Sequence, residues 1–166
     1  MKSRFWSVAA VSLTAVALLA GCGGSGAGSG SSGSSSTKAQ AAPTPAPLVK
    51  TATVTVDGKQ QTILVDNAGM TLYLFTPDKG GKISCTGPCL AVWPPLLLPA
   101  DMTKPVPGPG LTGTCTTLAN PDGKGTQILY NNWPLYYYAK DKAPGDVTGQ
   151  NVGGKWFVVT PDVQAG

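Results

Sequence analysis

The sequence predicts an all-β fold built from two pseudo-equivalent repeats of about four strands each, forming one sandwich or small barrel. Three observations carry that prediction. First, Tyr73-Leu74-Phe75-Thr76-Pro77-Asp78 returns as Tyr136-Tyr137-Tyr138-Ala139-Lys140-Asp141. Each copy follows a leucine (Leu72, Leu135) and precedes a tryptophan (Trp93, Trp156), so one offset of 63 residues holds at Leu, Tyr, aromatic, Asp and Trp. A constant offset of this kind marks one supersecondary unit used twice. Second, alternating β-branched runs are separated by turn dipeptides. Third, no amphipathic helical window is found beyond one turn near Cys89 to Trp93.

In the first repeat (about 51–98), Thr51 to Val56 alternates β-branched residues and ends at Asp57-Gly58, a hairpin signal. Thr62 to Val65 returns as the second strand, Asp66 to Gly69 turns the chain, and Thr71 to Thr76 forms a third strand that Pro77 stops. In the second repeat (about 114–162), Thr114 to Ala119 and Thr126 to Tyr130 flank the turn Asn120 to Gly123. Asn131-Asn132 then leads into a motif strand, Leu135 to Ala139. Ile63 matches Ile128 on this reading, leaving a two-residue difference in the turn that follows. The second tryptophan opens a strand, Trp156 to Val159, whereas Pro94 and Pro95 restrict the first to edge pairing. Both faces of each motif strand are apolar, which predicts central strands covered on both sides.

The motif residues Tyr73, Phe75, Asp78, Trp93, Tyr136, Tyr138, Asp141 and Trp156 are expected to be structural. Each aspartate sits just past its strand, where a carboxylate accepts N–H groups of the next loop. Each tryptophan is expected to close the core of its own unit.

The chain before this domain has a different character. Lys2 and Arg4 precede an apolar run, Phe5 to Ala20, too short to span a bilayer and ending in Leu19-Ala20-Gly21-Cys22. Residues 1–21 therefore read as a signal peptide. The Leu-Ala-Gly-Cys ending resembles the lipobox of bacterial lipoproteins, which implies cleavage before Cys22 and lipid on its thiol. Residues 22–47 are the lipidated cysteine followed by a Gly/Ser/Ala/Pro tether with no large apolar residue. Such a segment buries too little to offset its ordering entropy. Residues 48–166 form the β-domain and hold ten of the twelve aromatic residues, so the core lies there.

Loss of Lys2 and Arg4 takes the formal charge from +4 to +2, without a lysine run, and this argues against a nucleic-acid partner. The chain has no histidine and no glutamate, and Ser84 is the only serine beyond the tether. Ser-His-Asp and Cys-His catalysis are thereby excluded, as is histidine ligation of haem. No nucleotide-binding glycine loop opens a helix, and the expectation is a protein that is not an enzyme and carries no cofactor.

The lipobox, the duplicated Y-x-[FWY]-x-x-D motif, Cys85-Thr86-Gly87-Pro88-Cys89 and Trp93-Pro94-Pro95-Leu96 together resemble the bacterial secreted-repeat lipoproteins that carry this motif. The resemblance covers most of Ile63 to Asp162. It implies location and architecture, because the family has no established biochemical activity. Cys115 departs from it, standing where an ordinary strand residue is expected.

With Cys22 set aside, three cysteines remain. Cys85 and Cys89 lie four apart outside the cytosol, where a disulfide is permitted. That pairing is favoured and leaves Cys115 as a buried free thiol, while 85–115 and 89–115 stay open on sequence grounds. The positions matching Cys85 and Cys89 in the second repeat are Thr148 and Val152.

Two functions follow as expectations. The favoured one is a non-catalytic binding or structural module of the cell envelope, lipid-anchored on the extracytoplasmic face of the cell membrane. Its partner would be an envelope protein or glycan, with Trp133 and Tyr137 as candidate stacking platforms. The alternative is an extracytoplasmic redox or copper-handling protein using Cys85 and Cys89, with Met70 or Met102 completing a Cu(I) site. A four-ligand zinc site is disfavoured for want of ligands. The oligomeric state is open.

Overall fold

The structure is a computed structural model and describes residues 46–166. The signal peptide, Cys22 and nearly all of the tether lie outside the described residues. Strands β1 (Val49–Val56) and β2 (Lys59–Asp66) form an antiparallel hairpin. Its turn takes positive φ at both Asp57 (50°) and Gly58 (77°), as a two-residue type I′ connection requires. Strand β3 (Tyr73–Phe75) runs into a 3-10 turn at Thr76–Asp78 that carries Pro77 near its start. One helical turn, α1 (Cys89–Val92), follows. Strands β4 (Cys115–Ala119), β5 (Thr126–Tyr130) and β6 (Trp133–Pro134) belong to the second repeat. Asn131 and Asn132, at φ 48° and 65°, turn β5 into β6. Strand β7 (Trp156–Val158) comes last.

These strands form three small antiparallel sheets, β1-β2, β3-β7 and β4-β5-β6. Isolated bridges at Val65–Thr71, Tyr73–Tyr136, Pro95–Tyr136 and Leu97–Gln127 stitch them together. The architecture is all-β in two repeats, without a closed barrel among the described residues.

The repeats are related by a pseudo-two-fold axis that passes between Tyr73 and Tyr136. These two residues exchange backbone bonds: Tyr73 N–H donates to the Tyr136 carbonyl (2.8 Å) and Tyr136 N–H to the Tyr73 carbonyl (3.0 Å). Outward from there the bonds match in pairs. Thr76 N–H donates to Lys155 O and Ala139 N–H to Val92 O, both at 2.9 Å. Val159 N–H donates to Leu72 O (3.0 Å) and Leu96 N–H to Leu135 O (2.9 Å).

The symmetry corrects two sequence expectations. Leu135 to Ala139 is not a regular strand. Its neighbour is Trp93-Pro94-Pro95, and two consecutive prolines supply no N–H, so the ladder is reduced to bridges and the bond from Tyr137 N–H to Pro94 O (2.8 Å). The equivalent β3 pairs with Trp156-Phe157-Val158, which has its donors, and is a true strand. The residue equivalent to Ile128 is Leu64, not Ile63. Leu64 N–H donates to Val159 O and Ile128 N–H to Leu96 O, so the turns that follow differ by one residue rather than two.

Strand alternation sends the two faces of the motif segments into two cores. Tyr73, Tyr136 and Tyr138 enter one with Ile63, Val65, Cys85, Trp93 and Trp156. Leu72, Leu74 and Leu135 enter the other with Leu64, Ile128 and Tyr130. The half-exposed Phe75 and Tyr137 pack against the edges of these cores.

Candidate functional site

The motif residues converge at the pseudo-two-fold axis. Strand β3 and its 3-10 turn place Tyr73 and Asp78, and the second copy places Tyr136 and Asp141. Tyr73 and Tyr136 are fully buried, as is Asp78, and Asp141 is 7% exposed. The tyrosines do not bond the aspartates of their own motifs. Tyr73 Oη donates to Asp141 Oδ2 and Tyr136 Oη to Asp78 Oδ2, both at 2.6 Å.

The second oxygen of each carboxylate holds the following loop. Asp78 Oδ1 accepts Ser84 N–H at 2.8 Å. Asp141 Oδ1 accepts Thr148 N–H at 3.0 Å together with the Thr148 hydroxyl. Gly149 N–H adds a bond to Tyr73 Oη at 3.2 Å. Ser84 and Thr148 are therefore equivalent, and Gly149, rather than Thr148, stands opposite Cys85. Sequence reasoning missed this pair; the available signal was a hydroxyl residue six or seven positions past each motif aspartate.

A third tie crosses the repeats. Asp66 accepts Ala68 N–H and Met70 N–H on Oδ1 and the Tyr137 hydroxyl on Oδ2 (3.0 Å). The second repeat also buries Gln127, which donates to Leu135 O and accepts from Asn120, both at 3.0 Å. No buried side-chain nitrogen or oxygen among the described residues lacks a partner.

Electrostatics follows from burial. The Asp78 carboxyl is pushed above its usual range by desolvation, with the bonds from Tyr136 and Ser84 pulling the other way. Tyr73, Tyr136 and Tyr137 are pushed well above the ordinary tyrosine value, first by burial and then by the carboxylates they bond.

The aromatic rings form one column across the axis. Trp93 and Trp156 stack face to face with centroids 3.8 Å apart and planes within 2°. Tyr138 covers the outer face of Trp93 (4.3 Å) and Phe75 that of Trp156 (4.2 Å). Each tryptophan thus lies against an aromatic of the other repeat, joining the units rather than closing each alone. Tyr73 and Tyr136 meet the tryptophans of their own repeats edge-on, at 5.5 and 5.2 Å.

Cys85 and Cys89 are joined in a disulfide with their Cα atoms 5.4 Å apart. Cys115 is free and half-buried, not buried as expected, because β4 is an outer strand. Burial raises its thiol pKa. Among the described residues no group of three or more His, Cys, Asp or Glu side chains gathers as a metal would require. Trp133 is covered by the segment at 163–166: its Nε1 donates to Gln164 O at 2.9 Å, and Gly166 lies on the indole ring. Tyr137 is half-buried and engaged by Asp66. A polar depression of about 420 Å³, lined by Thr112, Asn131, Asp162 and Gln164 among others, contains none of the motif side chains.

No helix among the described residues is long and apolar enough to cross a membrane. No curated protein and no solved structure matches this chain. A family model described as a secreted repeat of unknown function matches twice, over residues 54–97 and 116–160. The two matches span more than half of the 166 residues and fall on the two halves that the pseudo-two-fold axis relates. The chain therefore belongs to the family of secreted repeats of unknown function, of which it carries two copies.

Proposed function

We propose that this secreted-repeat protein is a non-catalytic binding or structural module of the cell envelope, anchored by lipid on Cys22 at the extracytoplasmic face of the cell membrane. One observation carries the non-catalytic reading. The polar groups of the duplicated motif, which would be the obvious candidates for chemistry, are occupied by one another. Both oxygens of Asp78 and of Asp141 accept bonds from the fold: a tyrosine hydroxyl donates to one oxygen of each, and the N–H of Ser84 or of Thr148 to the other. A general acid or base must reach its substrate proton, and these carboxylates are turned inward. The motif works as a clasp that presents a rigid surface on a tether. The anchoring reading rests on the sequence before the domain. The redox and copper-handling alternative gains no support from the thiols, since the Cys85 and Cys89 sulfurs are bonded to each other.

Metabolic labelling with an alkyne fatty acid tests the anchor. Wild-type protein should take up label and partition with membranes, and Cys22→Ser should lose both. Label retained in Cys22→Ser would contradict the assignment. Co-sedimentation of the protein with purified cell-wall and envelope-glycan fractions tests the binding role. Saturable retention on one fraction, with no covalent change in it, is expected; turnover of that fraction would overturn the non-catalytic reading.

A further inference from the structure

Strand β4 is exposed on both of its faces. Cys115 is half-buried, and Thr116, Thr117, Leu118 and Ala119 are all exposed. Leu118, at 41%, is one of two large hydrophobic side chains so exposed among the described residues. The strand lies at the outer edge of its sheet, held by β5 alone.

The register of that pairing shows which backbone groups point outward. Thr117 stands opposite Ile128. Ile128 spends its N–H on Leu96 O and its carbonyl on Leu135 N–H, both on the other side of β5. In an antiparallel ladder, Thr117 must then direct its own N–H and C=O away from β5. The same alternation turns Cys115, opposite Tyr130, and Ala119, opposite Thr126, outward. Among the described residues, none of these outward groups has a partner.

Proteins usually blunt such an edge with lysine, proline or a covering loop. The β1 edge is treated in that way. It carries Lys50, and the loop at Val106 to Gly108 covers its start through Leu48 N–H to Val106 O (2.8 Å) and Gly108 N–H to Val49 O (2.7 Å). Among the described residues the β4 edge has no such device. From Leu111 to Pro121 no residue is charged.

We propose that the outer edge of β4 is an interface for a second copy of this chain, paired antiparallel about a two-fold axis through Thr117. The sequence of the edge fits itself. Thr117 meets its own equivalent, Thr116 meets Leu118, and Cys115 meets Ala119. The outward groups at 115, 117 and 119 face their counterparts in bonding register. No charge is desolvated and no like charges oppose, whereas a charged peptide would have nothing here to answer it. Thr–Thr and apolar cross-strand pairs of this kind stabilise a ladder modestly. The contact is therefore weak in dilute solution and strengthened wherever chains are held close together. The proposal stands independently of the binding role given above.

Sedimentation velocity of the full-length chain in mild detergent, over a concentration series, tests it with charge-swap variants. Wild type should show a reversible monomer–dimer equilibrium. Thr117→Lys and Thr117→Asp should each weaken it by about tenfold or more, since like charges then face across the axis. Mixing the two variants should restore dimer. Melting curves check that both variants remain folded; should either fail, the double variant Thr116→Lys, Leu118→Lys mixed with Thr116→Asp, Leu118→Asp replaces the pair, because 116 and 118 face each other across the axis and are both exposed. A wild-type chain that stays monomeric throughout would overturn the proposal. So would a dimer that persists in both single variants, or variants that do not recover on mixing.

Discussion

Tyr73 donates its hydroxyl to Asp141 at 2.6 Å, across 68 residues of sequence and into the other repeat. Tyr136 and Asp78 return the same bond at the same distance. Neither repeat satisfies its own buried carboxylate, so neither is complete alone. The two-fold arrangement makes the pair a single cooperative unit whose centre is the Trp93–Trp156 stack.

Removing one hydroxyl leaves a buried acceptor short of a donor. Tyr136→Phe and Tyr73→Phe should each cost about 1–3 kcal/mol in urea denaturation. Tyr73→Phe should fall at the higher end, because its oxygen also accepts from Gly149. Tyr73→Ala or Tyr136→Ala should cost about 3–5 kcal/mol, adding a cavity to the lost bond. Asp78→Asn should be milder, since the amide can still accept Ser84 N–H and meet Tyr136 through its NH₂.

Alkaline pH should unfold the domain before its buried tyrosines ionise. Tyr73, Tyr136 and Tyr137 have folded pKa values raised by burial and by the carboxylates beside them. Unfolded tyrosine ionises at about pH 10. A raised folded pKa contributes stability that is fully present below the unfolded value and is lost as pH rises above it. The melting temperature should therefore decline from about pH 10 upward. The 295 nm tyrosinate signal of these three residues should appear together with unfolding. Their titration in the native state would contradict this assignment.

Gly149 tests the packing at the axis. Its φ is not in the left-handed region, but a Cβ there would lie 2.8 Å from the Tyr73 ring and 3.0 Å from Trp93. Gly149→Ala should cost about 1–3 kcal/mol through overpacking. Gly123 has open space around its Cβ position but φ of 67°, so Gly123→Ala should show only a backbone penalty of about 1 kcal/mol. Thermal melts of the two variants separate these causes.

The disulfide should matter less than its position in the core implies. The Cys85–Cys89 loop is very short, and closing it removes little unfolded-state entropy, placing it at the low end of the roughly 0–5 kcal/mol range. The double variant Cys85→Ser, Cys89→Ser should remain folded with a modestly lower melting temperature. Non-reducing peptide mapping should recover the 85–89 link, and alkylation of the folded domain should modify Cys115 alone, slowly, because burial raises its thiol pKa.

Much of this architecture was legible in the chain. The 63-residue offset at Leu, Tyr, aromatic, Asp and Trp revealed the duplication, and Asp57-Gly58 located the first hairpin. Alternation on the motif strands anticipated two covered faces. The exchange of partners between the repeats was not legible. An offset says that two units are alike, and it is equally compatible with each tyrosine serving its own aspartate. Only the backbone pairing of Tyr73 with Tyr136 brings the opposite carboxylates within reach. The same axis turned Trp93 and Trp156 from plugs of separate units into one stack. Tandem prolines at 94 and 95 were visible, but their effect fell on Tyr136 to Tyr138, a segment that looks like a strand by itself. The equivalence of Ser84 with Thr148 was hidden by one extra residue in the second loop.

Double-mutant cycles measure the exchange of partners most directly. Tyr73→Phe combined with Asp141→Ala, and Tyr136→Phe with Asp78→Ala, should show coupling energies of about 1–3 kcal/mol in equilibrium unfolding. The within-motif combinations, Tyr73→Phe with Asp78→Ala and Tyr136→Phe with Asp141→Ala, should be additive within about 0.5 kcal/mol. Coupling inside each motif, with additivity between the repeats, would contradict the account.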